Sequence, residues 1–259
     1  MEQINCKICG NRTKFAFSAK VLNKYDVKYF KCDKCGYLFT EQPFWLDEAY
    51  KSPINISDTG IMARNIYFSK IVSSILYFCF NKRAKFLDYA GGYGIFTRLM
   101  RDIGFDFYWH DDYTTNLLAR GFEMKKDENK YELLTAFEVF EHLSDPVEEI
   151  KKMAELSDSI LFSTVTLPQE IPSTDWWYYG FEHGQHISFY SEKTLITIAK
   201  KFGMNFYSLK NLFLFTKKKL SPLKLKLIYF TSHFGLNLLV RFRMQSLTDL
   251  DHKNMLRLH

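Results

Sequence analysis

Residues 87–112 read LDYAGGYGIFTRLMRDIGFDFYWHDD, and the rest of the chain is organised around them. An apolar strand runs into a glycine-rich turn, a helix follows, and a second strand ends on two carboxylates. Gly91, Gly92 and Gly94 lack the Cβ atoms that would hold a ligand away from backbone N–H groups at a helix start. A polar cofactor end can sit there. Asp111 and Asp112 follow Asp88 by about two dozen residues, the separation at which a βαβ unit sets an acid against a ribose diol. Glycines alone would also suit a turn in an unrelated α/β domain. Strand, helix and acid in register point instead to a nucleotide-cofactor site.

Downstream, a helix is expected over Asn116 to Arg120 and a short strand near Phe122. Tyr131 to Phe137 reads as an apolar strand, Glu138 to His142 leads from its end, and a helix includes Val147 to Leu156. Ser159 to Val165 is another buried strand. Alternating strands and helices imply a mainly parallel sheet covered on both faces, with ligands at the carboxyl ends of its strands. Residues 167–190 are rich in aromatics and too long for a routine connection, which makes them a candidate substrate lid. Ser191 then caps a helix to Phe202, with Lys200 and Lys201 in its last turn. Asn205 to Lys210 and Leu212 to Lys217 supply two final strands.

Upstream, Cys6, Cys9, Cys32 and Cys35 form two C-x-x-C pairs in CKICG and CDKCG. In a reducing compartment two such pairs favour tetrahedral thiolate zinc over disulfides. Residues 1–45 therefore read as a zinc ribbon, too small to fold on apolar burial alone, whose four thiolates make the zinc structural. A redox pair or a degenerate site is the other reading. Cys79 reads as packing. Residues 46–82 form a helical linker in which Ile61 to Phe80 carries apolar residues at helical spacing. That stripe suits core packing better than a lid.

Among 259 residues the formal charge is +6, modest for a nucleic-acid binder, which would concentrate it in stripes beside exposed aromatics. No signal-like leader opens the sequence, and no uncharged apolar run reaches the roughly 18 residues of a membrane span. A cytoplasmic protein is expected. Residues 220–259 are basic and helical: Leu209 to Thr248 contains no acid, while lysines and arginines alternate with Leu, Ile, Phe and Tyr. Such a helix either docks on its own domain, meets a second copy, or lies at the inner face of a membrane.

Three blocks, LDYAGGYGIFTRLMRDIGFDFYWHDDY, AFEVFEHLSDP and GQHISFYSEKTLITIAKKFGM, resemble the class I S-adenosylmethionine-dependent methyltransferases. With the four-cysteine unit they are similar to the zinc-ribbon-bearing sugar methyltransferases of bacterial surface-polysaccharide and deoxysugar pathways. The resemblance covers residues 1–217. It implies a Rossmann-like, mainly parallel seven-stranded sheet with helices on both faces in residues 83–219. It further implies that Asp88, Gly91, Gly92 and Gly94 hold the methionine portion of S-adenosylmethionine. Asp111, or failing it Asp112, would bond the ribose hydroxyls, and Phe137 and Glu138 would border the cofactor. Glu141 and His142 would stand over the site mouth. Ala90 departs from the pattern, where a glycine is usual; if the position needs positive φ, alanine costs about 1 kcal/mol.

Deoxysugar C-methyltransferases carry a Tyr-x-Glu-His pattern to which 181–186, FEHGQH, is similar. Here His186 matches the histidine, Gln185 replaces the glutamate, His183 stands for the tyrosine, and no large third domain follows. O-methylation of a sugar hydroxyl, on a sugar nucleotide or a capsule or lipopolysaccharide precursor, is therefore preferred. Methyl transfer from a sulfonium is an in-line displacement, and a hydroxyl acceptor needs a place for its proton. Histidine is suited to receive it, with His186 the first candidate and His183 and His142 behind it. Trp176, Trp177, Tyr178 and Tyr179, with Gln185, are candidates to line the sugar or base. Two alternatives stand beside this one: an RNA base methyltransferase whose ribbon grips RNA, and a non-catalytic cofactor-binding scaffold. Asp26 and Asp33 among the ribbon's lysines argue against RNA.

Overall fold

The structure is a computed structural model and describes residues 4–125 and 130–257. Two compact units emerge, one from Met1–Ile56, Phe137–Ala154 and Phe162–Lys217, the other from Ser57–Ala136, Glu155–Leu161 and Lys218–His259.

The second unit is built from the glycine turn outward. Strand β4 (Lys85–Tyr89) leads through the turn into helix α3 (Ile95–Ile103), and Gly104 passes the chain to strand β5 (Asp106–His110). β4 pairs in parallel with β5 and with β6 (Leu133–Phe137), setting Phe86 beside Phe107 and Leu133. Phe86, Phe105 and Phe107 are fully buried. Helix α2 (Ile61–Cys79) packs on α3 through a buried face including Phe68, Ile71, Val72, Ile75 and Leu76. Its stripe is core, as its spacing suggested. Helices α6 (Pro222–Ser232) and α7 (Leu236–Arg243) pack against α2. The last helix, α8 (Thr248–Leu256), brings Asp251 to Arg101 and Arg98.

One sheet has six strands in the order β5-β4-β6-β7-β10-β9, with β7 at Ser159–Ser163, β9 at Asn205–Leu209 and β10 at Leu212–Thr216. β9 and β10 are antiparallel, so the sheet is mixed. The expected seventh strand, near Phe122, is reduced among the described residues to a single bridge between Glu123 and Trp109. Its sequence explains this: beyond Met124 the chain reads KKDENK, which offers no apolar alternation to extend a pairing. The helix expected over Asn116 to Arg120 is also absent. Asn116 turns its side chain back to accept from the Ala119 N–H and to donate to Glu123, a local bonding pattern that competes with helix.

The first unit holds a second sheet, β1-β2-β3-β8, from strands Lys14–Val21, Tyr25–Lys31, Leu38–Thr40 and Ser188–Phe189. Residues 167–190 thus contribute a strand to the cysteine-bearing segment. Leu167, Tyr178, Tyr179, Ile187 and Phe189 form one core with Val21, Val27, Tyr29, Leu38 and Trp45. The Trp45 indole donates to the Gly184 carbonyl at 2.8 Å. Helix α5 (Glu192–Lys201) begins at the expected cap, Ser191, which with Thr194 forms a reciprocal capping box. Both hydroxyls also donate to the Cys35 carbonyl.

Candidate active site

The cofactor turn lies wholly in the second unit. Asp88 ends up beneath it, buried, and accepts from Thr135 Oγ1 at 2.9 Å and Thr97 Oγ1 at 3.1 Å. Burial pushes its carboxyl up to about 7, against the lowering effect of those hydroxyls. A Cβ on Gly91 would stand 2.7 Å from Asp88 Oδ2 and 2.8 Å from the Trp109 ring, so close packing of turn on carboxylate requires glycine there. The amides of Gly91, Gly92 and Gly94 close the turn internally, bonding His110 O, Asp111 Oδ2 and Gly91 O. Ala90 takes φ 53°, the left-handed conformation its departure from glycine made costly. Asp111 clamps the turn: besides the Gly92 N–H its carboxylate accepts from the Tyr113 and Thr114 amides. A carboxylate has about four acceptor sites, so a ribose diol would have to share this one. Asp112 is exposed, 3.7 Å from His110 Nε2.

The histidines gather in the first unit. The His186 ring centroid is 5.0 Å from that of His142 and 4.7 Å from that of His183. His186 Nδ1 lies 2.7 Å from the Tyr178 carbonyl, which can only accept, so the proton sits on Nδ1 and Nε2 keeps its lone pair. His142 Nδ1 faces the Gln185 carbonyl at 3.1 Å and the Tyr50 hydroxyl at 3.0 Å, which leaves its Nε2 in the same state. His183 is the reverse: its Nδ1 accepts from the Gln185 amide at 3.1 Å, so its proton is on Nε2. Burial depresses all three, His142 to about 4, His186 well below the ordinary value, His183 less.

Gln185 is buried and its side chain donates to the Ala49 and Ser52 carbonyls. It anchors the 49–52 segment. Glu138 takes φ 54° and exchanges bonds with Ser163, whose hydroxyl meets both its amide and its carboxylate. Of the four aromatics, only Trp177 is exposed, at 73%. Tyr178 and Tyr179 are core, with hydroxyls bonded to Thr164 and to the Pro172 carbonyl, and Trp176 packs on both rings.

A family model described as a methyltransferase domain matches residues 63–209. The chain belongs to the methyltransferase-domain family. It is an S-adenosylmethionine-dependent methyltransferase, and the tight clearances at Gly91 and Gly94 are against its own Asp88, Trp109, Asn116 and Ala119, so these glycines let the turn pack closely on the fold. Among solved structures it is similar to the plantazolicin methyltransferase BpumL in complex with S-adenosylhomocysteine (10% identity, 74% of this chain and 88% of that one, TM-score 0.48). It is also similar to an O-methyltransferase family protein from Burkholderia thailandensis (16% identity, 68% of each chain, TM-score 0.45). A third is the magnesium protoporphyrin IX methyltransferase from Synechocystis PCC 6803 with bound S-adenosylmethionine (13% identity, 68% and 93%, TM-score 0.43). No curated protein matched the sequence.

In this methyltransferase the four N-terminal cysteines converge as their spacing suggested. All four sulfurs lie within 4.8 Å of one another, and Cys6–Cys35 and Cys9–Cys32 are each 3.5 Å apart. Tetrahedral zinc at about 2.3 Å from sulfur sets its ligands about 3.8 Å apart, so the donor set fits. The Cys35 contact draws the Cys6 thiol down to about 5 and pushes Cys35 up, as when two sulfurs share one proton. Gly36 takes φ 80°, and a Cβ there would overlap the Ser191 hydroxyl. Two neighbours of the histidines escaped the sequence reading. One is Tyr50, which no motif marks and whose hydroxyl meets His142 Nδ1. The other is Glu141, read only as a residue at the site mouth, whose complete burial has no one-dimensional signature.

Proposed function

We propose that this methyltransferase O-methylates a sugar hydroxyl, on a sugar nucleotide or a surface-polysaccharide precursor, with structural zinc in its N-terminal ribbon. The observation that carries the reading is the state of Gln185 and His183. In a C-methylating dyad, position 185 would supply a carboxylate to drive proton abstraction; here it is an amide spent on two backbone carbonyls. His183 has its lone pair engaged. A hydroxyl needs less: the methyl carbon leaves sulfur as its bond to the acceptor oxygen forms, and the hydroxyl proton passes to a base with a free lone pair. His186 Nε2 is that group in this reading, with His142 behind it. Asp88, Ala90, Gly91, Gly92 and Gly94 would shape the cofactor turn, Asp111 or Asp112 would reach the ribose, and Phe137 and Glu138 would border the ring. Trp177, exposed beside two core tyrosines, is the aromatic left to stack on a sugar face.

The reading predicts labelled-methyl transfer to at least one member of a nucleotide-sugar panel, with alkali-stable ether product, and its loss in His186→Ala. Failure to bind S-adenosylmethionine by calorimetry would overturn it. The tail supports peripheral attachment to an anionic membrane. Leu223, Leu227, Phe230, Phe234, Leu238 and Phe242 are exposed on α6, α7 and the turn between them, among Lys224, Lys226, Arg241 and Arg243. No helix among the described residues is long and apolar enough to cross a bilayer. Sedimentation with vesicles containing anionic lipid, abolished in Phe234→Glu/Phe242→Glu, is the expected result; equal sedimentation of variant and wild type would refute it.

A further inference from the structure

Glu141 is fully buried, and neither of its carboxylate oxygens makes a hydrogen bond of ordinary geometry, although the Tyr178 and Thr164 hydroxyls lie near enough to lower its carboxyl. That is costly by several kcal/mol for an ionised group left alone. Those two hydroxyls are bonded to each other at 3.1 Å, which leaves the pair one proton to offer two carboxylate oxygens. Its remaining neighbours make the deficit worse. One ligand atom each from Glu141, His142 and His186 lies within 4.8 Å of the other two. The two imidazoles present lone pairs, because their Nδ1 protons are committed to the Gln185 and Tyr178 carbonyls. Each imidazole therefore keeps one nitrogen free to accept a proton donor or a cation. Glu138 adds a second carboxylate near Glu141, and burial together with that charge pushes the Glu141 carboxyl up to about 8.

The geometry points to a divalent transition-metal site formed by Glu141, His142 and His186. Two histidines and one carboxylate with open positions are the donor set of catalytic zinc and of facial-triad iron(II) or manganese(II) centres. Each imidazole is oriented through Nδ1–H to a backbone carbonyl, the outer support that metal-bound histidines need to fix their tautomer. Two ligand atoms about 2.1 Å from one ion lie about 3.0–3.4 Å apart in facial or tetrahedral geometry, so from an outer limit of 4.8 Å the cluster would close by up to about 1.8 Å.

The site rests on the O-methylation reading only for what its occupant does, since an acceptor hydroxyl entering an open position would lose its proton to water more readily on the cation. His186 then ligates rather than accepts that proton, while the methyl donor and acceptor class are unchanged. The test is a manganese(II) titration of the zinc-loaded protein followed by electron paramagnetic resonance; manganese avoids the soft tetrathiolate centre. One bound equivalent is expected, with affinity falling at least 100-fold in Glu141→Gln and in His186→Gln. The glutamine at 141 is isosteric and removes a buried charge, and circular dichroism checks the fold of both variants. Should either fail to fold, competition of zinc(II) or cobalt(II) for the wild-type manganese signal, together with a metal-dependent rise in its melting temperature, carries the test. No stoichiometric manganese in the wild type, or binding that Glu141→Gln leaves within threefold, overturns the site. Calorimetry with S-adenosylmethionine on the same samples tests the methyltransferase reading separately.

Discussion

Ala90→Gly should make this protein more stable. Ala90 holds φ 53° in the cofactor turn. Left-handed backbone costs a non-glycine residue about 1–2 kcal/mol, and glycine returns about 0.4–1 kcal/mol of that through the greater freedom of its unfolded chain. A net gain of about 0.8 kcal/mol remains, which at about 2–4 °C per kcal/mol for a chain of this size raises the melting temperature by about 2–3 °C. Scanning calorimetry reads the shift, and titration with S-adenosylmethionine should show affinity held or improved. Gly94→Ala is the contrasting variant. Gly94 sits at φ 83°, and a Cβ there would lie 2.9 Å from Asn116 Oδ1 and 3.0 Å from the Ala119 amide nitrogen. Strain and overlap together should cost more than about 2 kcal/mol, with cofactor affinity lost alongside. A fall of more than about 2 °C in Ala90→Gly would refute the reasoning, since it would mean that the alanine methyl packs more favourably than its backbone is strained.

Asp88, with its carboxyl raised to about 7 from an ordinary 3.8, binds its proton more tightly folded than unfolded, so on its account stability is full below about pH 4 and falls as pH rises to about 7, by something on the order of 4 kcal/mol. Buried neutral histidines slope the other way and cancel in a comparison with Asp88→Asn; urea midpoints of that variant should gain on the wild type from pH 5 to 8, and a constant gap would contradict the assignment. Cys9→Ala should release one equivalent of zinc by metal analysis and unfold the β1–β3 segment, seen as rapid proteolysis; unchanged zinc content would sink the ribbon. Asp251→Ala removes the bidentate partner of Arg101, whose side chain is only 5% exposed and bonds both Asp251 oxygens at 2.7 and 2.8 Å while also holding Asp106 and the Phe107 carbonyl, and should cost about 1.5–3 kcal/mol in urea denaturation; a loss under about 0.5 kcal/mol would show the pair to be dispensable.

How far the sequence disclosed the fold can be argued from particular residues. The strand–turn–helix–strand order of 87–112 was legible, because the buried β4 ends abruptly at a glycine turn and β5 ends on carboxylates. The turn, the Ser191 cap and the four cysteines were legible for the same kind of reason: their chemistry is local. Residues 116–123 were not, since whether Asn116 caps its own backbone or enters a helix depends on Glu123 being at hand. The lid expected over 167–190 carries one strand of the β1-β2-β3-β8 sheet, and pairing of Phe189 with Leu38 spans a sequence separation that no period reports. The basic tail concealed Asp251, one acid that fixes α8 to Arg98 and Arg101. Its exposed apolar side chains belong to α6 and α7 instead.

Two buried carboxylates, one in each unit, differ in how completely the fold serves them. Asp88 and Glu141 are both pushed toward neutrality by burial. Around Asp88 the fold supplies two threonine hydroxyls and packs a glycine turn against the result. Its environment is complete, and its substitution should be read mainly in stability. Around Glu141 the fold gathers two imidazoles, and the bonded Thr164–Tyr178 hydroxyl pair has one proton left to offer its two oxygens. A polar group held that way calls for an account of what completes it. A proton would neutralise Glu141 but would leave at least one imidazole lone pair unmet; a cation satisfies all three atoms at once. Hence substitution at Glu141 should register in ligand binding before it registers in the fold, and a gain in thermal stability in metal-free Glu141→Gln would accord with a site built for function at the expense of the empty protein.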